Sequence, residues 1–284
     1  MSFTRRLAAI GSPCLEKYRP LLVDGVRLGW IDPRRADFLL AGGEVLRADA
    51  HEARFASHLD TPEKRTAALA ARLTRHHDRI PGWRNELYPA NTRFGEKPAF
   101  LIERAAAALL GLRAYGVNLV GYCKDGAEYS FWLARRAAHK HLAPLAWDTM
   151  VGGGQPHDLS LEENLRKEAW EEAGLDSTML VNASRAGEIA FAEETPAGLR
   201  REWQANYELL MPKDVAPQNR DGEVAEFRLV GSRELLALLE SDAPFLIDAV
   251  LVFADFFLRH RLLDPAQAVE VRAWMEKLRF SEAI

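Results

Sequence analysis

The sequence predicts an α/β protein in two units, a smaller one over residues 1–113 and a larger one over residues 114–284. Three observations lead there. Residues 1–113 mix strand-like runs with amphipathic helical ones. Beyond them, β-branched and aromatic runs alternate with short polar loops, as strands do. One strongly capped helix interrupts those runs, and about the last 50 residues read as helical.

Taken in order, LLVDGVRLGWID from Leu21 reads as strand-turn-strand about Asp24-Gly25. Thr61 is the expected cap of a helix whose first residue is Pro62 and which runs on through EKRTAALAARLTRHH. IPGWRNELYPANTRFG, residues 80–95, reads as a loop punctuated by Pro81-Gly82 and Pro89. FLIERAAAALLG, residues 100–111, reads as a second helix stopped by Gly111. VNLVGYCKD and YSFWLARRA then form a hairpin pattern, and WDTMVGGG is a third short run. Further strands are expected at AGEIAFAEE, REWQANYELLM and EVAEFRLV.

Composition excludes several classes. The 48% hydrophobic and 27% charged content is that of a globular chain. A net charge of -4 gives no electrostatic footprint for nucleic acid. FLIDAVLVFADFFLRHRLL, from Phe245, is interrupted by Asp248 and Asp255, so it reads as a buried helix and not a membrane span. Cys14 and Cys123 have neither metal nor redox spacing, and a reducing, cytoplasmic setting is expected. The N-terminal apolar run is too short for a secretory signal.

The chemistry is expected in GGGQPHDLSLEENLRKEAWEEAGL, residues 152–175. Ser160 and Glu163 form a capping box, so a helix starts at Leu161, and Gly174 suits its left-handed end. Leu159, just before the cap, is expected to staple the first turn. Leu161, Leu165, Ala169 and Ala173 make an apolar stripe. Glu168, Glu171 and Glu172 share the adjoining face, where their like charges conflict until a divalent cation relieves them. The preceding glycines allow close approach of backbone to a ligand. Glutamates on a helix are usually solvated and a glycine run is usually a loop; their joint occurrence at this spacing is the informative feature.

This segment resembles the Nudix box, G-x5-E-x7-R-E-U-x-E-E-x-G-U, with U aliphatic. KEAWEEAGL, residues 167–175, matches its second half with Lys167 for arginine, and Gly153 matches its first glycine. Leu159 stands where the family has glutamate. The resemblance implies a Nudix α/β/α sandwich with C-terminal helices over residues 114–284, behind a smaller accessory α/β domain. It implies that Glu171 and Glu172 ligate metal, that Glu168 binds metal or orients the attacking water, and that Gly152 offers its carbonyl to the metal. Magnesium is the expected ion, with manganese able to replace it. A later acid is common in the family; among Asp221, Glu223 and Glu226, Glu223 is favoured here.

WLARRAAHKHLAPLAWDTMVGGGQ, from Trp132, further resembles the Nudix branch related to thiamine pyrophosphokinase, through Arg135, Arg136, Lys140, Pro144 and Asp148. VDGVRLGWI and WRNELYPA in the first unit, and DGEVAEFRL in the second, resemble it too. Ala137 for serine and Leu145-Ala146 for a Gly-x step depart from that pattern. That branch implies hydrolysis of thiamine diphosphate or oxidised analogues to the monophosphate. Arg135, Arg136 and Lys140 are the expected phosphate ligands. Trp83, Trp132, Trp147 and Trp203 are candidates to stack on the ring, although core packing is the commoner role of any one tryptophan. Competing readings are an ADP-ribose or other nucleoside diphosphate hydrolase, and a non-catalytic diphosphate-binding module. The expected partner is a small diphosphate, with no nucleic acid or membrane; a homodimer is left open.

Overall fold

The computed structural model describes residues 3–10 and 13–283. In the first unit, β1 (Arg19–Val23) and β2 (Val26–Ile31) pair through Asp24 and Gly25, at φ 52° and 81°. Two successive left-handed residues are what a tight hairpin turn requires. α2 (Asp37–Leu40), β3 (Leu46–Ala48) and β4 (Ala53–Phe55) follow, and the sheet runs β2-β1-β4-β3. α3 (Pro62–Arg75) begins as expected, the Thr61 hydroxyl accepting the Lys64 amide at 3.3 Å. Its buried Leu69 and Leu73 join this unit's own core.

Two expectations fail between residues 80 and 111. The loop contains β5 (Leu87–Ala90), and the second helix does not form. Its first residues make β6 (Phe100–Glu103), antiparallel to β5, and short 3-10 turns lead to Gly111 in the left-handed region. A twelve-residue alanine-rich helix is marginal alone. Here strand pairing satisfies its first third, and the rest tucks under β2, where a Cβ on Gly111 would overlap the Trp30 backbone.

The second unit is one seven-stranded sheet. β7 (Arg113–Asp125) and β8 (Glu128–Arg136) form the expected hairpin, followed by β9 (Trp147–Asp148) and β10 (Val151–Gly154). α4 (Leu161–Ala173) precedes β11 (Ser184–Thr195), β12 (Gly198–Leu210) and β13 (Val224–Gly231). The order is β11-β12-β7-β8-β13, with β10 on β7 and β9 on β8. β12 runs parallel to β7, and the other neighbours are antiparallel. Strand alternation then sorts the faces. Val117, Leu119, Ala205 and Tyr207 meet the apolar stripe of α4, and Val120, Ile189 and Phe191 meet the helices of the other face.

Those helices are α5 (Ser232–Glu240), α6 (Ile247–Arg259) and α7 (Pro265–Ala283). α1 (Phe3–Ala9) joins them, burying Phe3 and Leu7 in the core that α6 and α7 share. The chain therefore has the expected α/β class, with helices on both faces of the larger sheet. α6 lies buried as expected, and no described helix is long and apolar enough to cross a membrane.

Candidate active site

The site is built around the junction of β10 and α4. Both reciprocal bonds of the capping box are present, Ser160 Oγ accepting from the Glu163 amide at 3.2 Å and Glu163 Oε2 from the Ser160 amide at 2.8 Å. The Asn164 side-chain amide donates to the Gly154 carbonyl at 3.0 Å, and the Gly152 amide donates to Glu172 Oε2 at 3.0 Å. These two bonds hang the helix from the strand at both ends of the glycine run. Asn164 occupies the fourth helical position, so no apolar partner awaits Leu159 there, and the expected staple is not made. Leu159 is half-buried, and its carbonyl accepts from the Gln155 side chain.

Close approach, and not backbone torsion, explains the glycines, since none of the three has a positive φ. A Cβ on Gly153 would overlap the Glu168 carboxyl group, and one on Gly154 would overlap the Tyr88 hydroxyl. Gly153→Ala is accordingly expected to cost about 1–3 kcal/mol of stability and to displace Glu168. Urea denaturation of the purified variant checks this; unchanged stability would mean that the helix shifts freely.

Glu168 and Glu172 are buried, at 9% and 6% exposure, while Glu171 is partly exposed. Burial pushes the Glu172 carboxyl well above its ordinary range, and the neighbouring Glu168 adds to the shift. Burial likewise raises Glu168, although Lys167 opposes it. Lys167 Nζ bridges Glu168 at 3.1 Å and Glu171 at 2.9 Å, so lysine makes the supporting ion pair at the family's arginine position. Among the described residues no three His, Cys, Asp or Glu side chains converge closely enough to enclose a metal ion. The donor set nevertheless suits a hard divalent cation: carboxylate oxygens with buried excess negative charge, beside a flexible lysine that is 41% exposed and can swing aside.

Glu223 reaches this neighbourhood through the loop after β12. The amides of Arg220 and Asp221 donate to the Glu171 carbonyl at 3.0 and 3.2 Å. Glu223 itself is paired with Lys140, and with Arg84 at 3.3 Å. Burial works against its charge, but Lys140 and Arg84 prevail and hold it below the usual carboxylate range.

Over the glycines opens a cavity of about 400 Å³ between the two units. The glutamates of α4 do not line it; the backbone of residues 152–154 does. Arg136 and Lys140 line it, Arg136 paired with Asp148 at 2.9 Å. Arg135 does not. Adjacent strand residues face opposite ways, and Arg135 pairs with exposed Glu226 at 2.8 Å, its guanidinium over Trp147.

No tryptophan lines the cavity either. Trp83 packs on the first core and Trp147 on the core under α6, while Trp132 and Trp203 pack on the core under α4, Trp203 stacked on Phe94. Among the cavity residues that sequence reasoning missed are Tyr88 and Arg104 from the first unit, and Arg200 from β12. Arg200 could have been sought. In REWQANYELL every second residue from Glu202 to Glu208 is polar within an otherwise apolar strand, which marks a polar interior face.

With this geometry in hand, comparison with known proteins is informative. Residues 3–114 match a family described as a domain of unknown function (DUF4743), and residues 113–249 match the NUDIX domain. Nudix hydrolase 20, chloroplastic, of Arabidopsis thaliana is 31% identical over 267 residues, covering 90% of this chain and 71% of that protein. Nudix hydrolase 24, chloroplastic, of the same plant is 36% identical over 209 residues, covering 73% and 57%. An uncharacterized protein of Saccharomyces cerevisiae is 32% identical over 201 residues, covering 66% and 58%. The chain thus spans between 57% and 71% of the length of these relatives.

Proposed function

The chain belongs to the Nudix hydrolase family, and from that membership we propose that it cleaves a small diphosphate metabolite with magnesium, thiamine diphosphate or an oxidised analogue being the substrate. The observation that carries the reading is the character of the cavity. Six arginine or lysine side chains line it against three carboxylates, an excess suited to a polyanion, beside the buried glutamates of α4. Its volume of about 400 Å³ suits a small ligand. Residues 1–113 act as the accessory domain and residues 114–284 as the hydrolase, except that α1 packs in the hydrolase's own core. The free thiols of Cys14 and Cys123 suit a reducing compartment.

In this reading Glu168, Glu171 and Glu172, with the Gly152 carbonyl, hold the metal. Once bound, the ion supplies Lewis-acid polarisation of a phosphoryl oxygen and a more acidic water. Glu168 orients the water, and Glu223 serves as the later acid of the site. Arg136 and Lys140 steady the phosphate that is not attacked, which their ion pairs with Asp148 and Glu223 hold ready. Arg135 takes no part. Tyr88 and His141 are the aromatic groups on the cavity wall against which a ring would rest.

The test is kcat/KM across thiamine diphosphate, its oxidised forms, ADP-ribose and dinucleotides at fixed magnesium. Thiamine-type compounds are expected to lead. The metal chemistry is common to all candidates, so discrimination falls to the ring. A nucleotide ahead by about tenfold, roughly 1.4 kcal/mol of transition-state binding, would replace thiamine while leaving the hydrolase. No cleavage of any of them with magnesium would leave a binding module.

A further inference from the structure

We propose that Arg104, carried by the first unit, is a phosphate ligand of the site on the second, so that the accessory domain completes substrate binding. The inference rests on the diphosphate reading above.

The other cavity cations are all partnered, Arg201 by the Leu28 and Gly111 carbonyls and the rest by carboxylates. Arg136 is held by Asp148 and the Leu142 carbonyl, Lys140 and Arg84 by Glu223, and Arg200 by three acids. Arg104 gives one N–H, on Nη1, to Glu86 at 2.8 Å, and its side chain remains 40% exposed. That exposed surface faces the cavity. Its position is fixed at three points. The Arg104 amide donates to the Glu86 carbonyl at 2.8 Å, the guanidinium lies over the Tyr88 ring at 5.5 Å, and the Tyr88 hydroxyl abuts Gly154. The guanidinium carbon lies 3.0 Å from where a Cβ of Gly154 would stand, one residue from the glycine that covers Glu168. A planar fork held there can take two phosphate oxygens at once, which a lysine cannot.

The experiment uses the full chain. Methylenediphosphonate, which resists hydrolysis, is titrated with magnesium into wild type and Arg104→Gln by calorimetry. KM and kcat are measured on whichever diphosphate of the panel the wild type cleaves best. Arg104→Gln is expected to raise both Kd and KM by on the order of ten- to a hundredfold, with kcat changed less and melting temperature held. Arg104→Lys should fall between, because it keeps the charge and loses the fork. If Arg104→Gln does not fold, Arg104→Lys carries the test alone. Wild-type Kd and KM in the folded variants would overturn the assignment. The binding arm needs no turnover: a wild type that binds the diphosphonate but cleaves nothing overturns the hydrolase reading and leaves Arg104 to be judged on Kd. A wild type that neither binds it nor cleaves any member of the panel overturns both.

Discussion

Glu172→Gln is expected to lower turnover by on the order of a hundredfold or more while leaving the fold intact or firmer. The amide oxygen of glutamine can still accept the Gly152 N–H, so the tie between α4 and β10 survives. What disappears is a buried charge next to Glu168 and Asp148, and with it the hard donor that a divalent ion prefers. The sign on stability follows from the raised carboxyl. A carboxyl whose folded pKa exceeds its unfolded one gives stability at pH below the unfolded value, and that stability is lost as pH rises through the folded one. Glutamine removes the loss, so in metal-free buffer the variant should melt above wild type by a margin that grows from acid toward neutral pH. Added magnesium should narrow the margin by stabilising wild type alone. Glu171→Gln should lose activity comparably but gain less stability, because Glu171 is partly exposed and already met by Lys167. Wild-type rates in both variants would sink the assigned metal site.

Much of α4 is legible in the sequence because its determinants are local. Ser160 and Glu163 are three residues apart, the apolar stripe recurs every four, and Gly174 closes the helix where expected, at φ 67°. The same holds for the Asp24-Gly25 turn and the Thr61 cap. Legibility ends where a partner lies far along the chain. Residues 100–103 carry a helical composition, yet β5 turns them into a strand. Tyr88 and Arg104 have no local signature at all. They become site residues because β5 and β6 pair and bring them against Gly154, which lies 66 residues beyond Tyr88 and 50 beyond Arg104. Arg135 is a different case. The strand pattern of YSFWLARRA already implies that Arg135 and Arg136 cannot face one pocket, so reading them as a pair overlooked information that was present.

Arg200→Ala should be the most destabilising single change at the cavity, by about 3–5 kcal/mol. Arg200 is only 13% exposed and joins three elements. Its Nη2 meets both oxygens of Asp248 on α6 at 2.9 and 2.7 Å, Nη1 meets Glu193 on β11 at 2.7 Å, and Nε meets Glu202 on its own strand at 3.0 Å. Burial alone would lower the guanidinium's pKa, but Asp248, Glu202 and Glu193 together drive it well above its ordinary value. Alanine leaves those three carboxylates facing one another with no cation between them, in a protein whose total stability is about 5–15 kcal/mol. The deficit should depend on pH. Burial already raises the Glu202 carboxyl with Arg200 beside it, and removing the cation raises it further. Stability from such a group is present below its unfolded pKa and lost as pH rises through its folded one. Arg200→Ala should therefore lie nearer wild type in mildly acid buffer than at neutrality. Adding Asp248→Asn should recover part of the loss, since an amide requires no countercharge. Urea denaturation of the single and double variants at the two pH values decides the matter. A loss of less than about 1 kcal/mol at neutral pH, the scale of an exposed ion pair, would mean that water reaches this cluster through the cavity and that the sheet and α6 are held together by their apolar contacts alone.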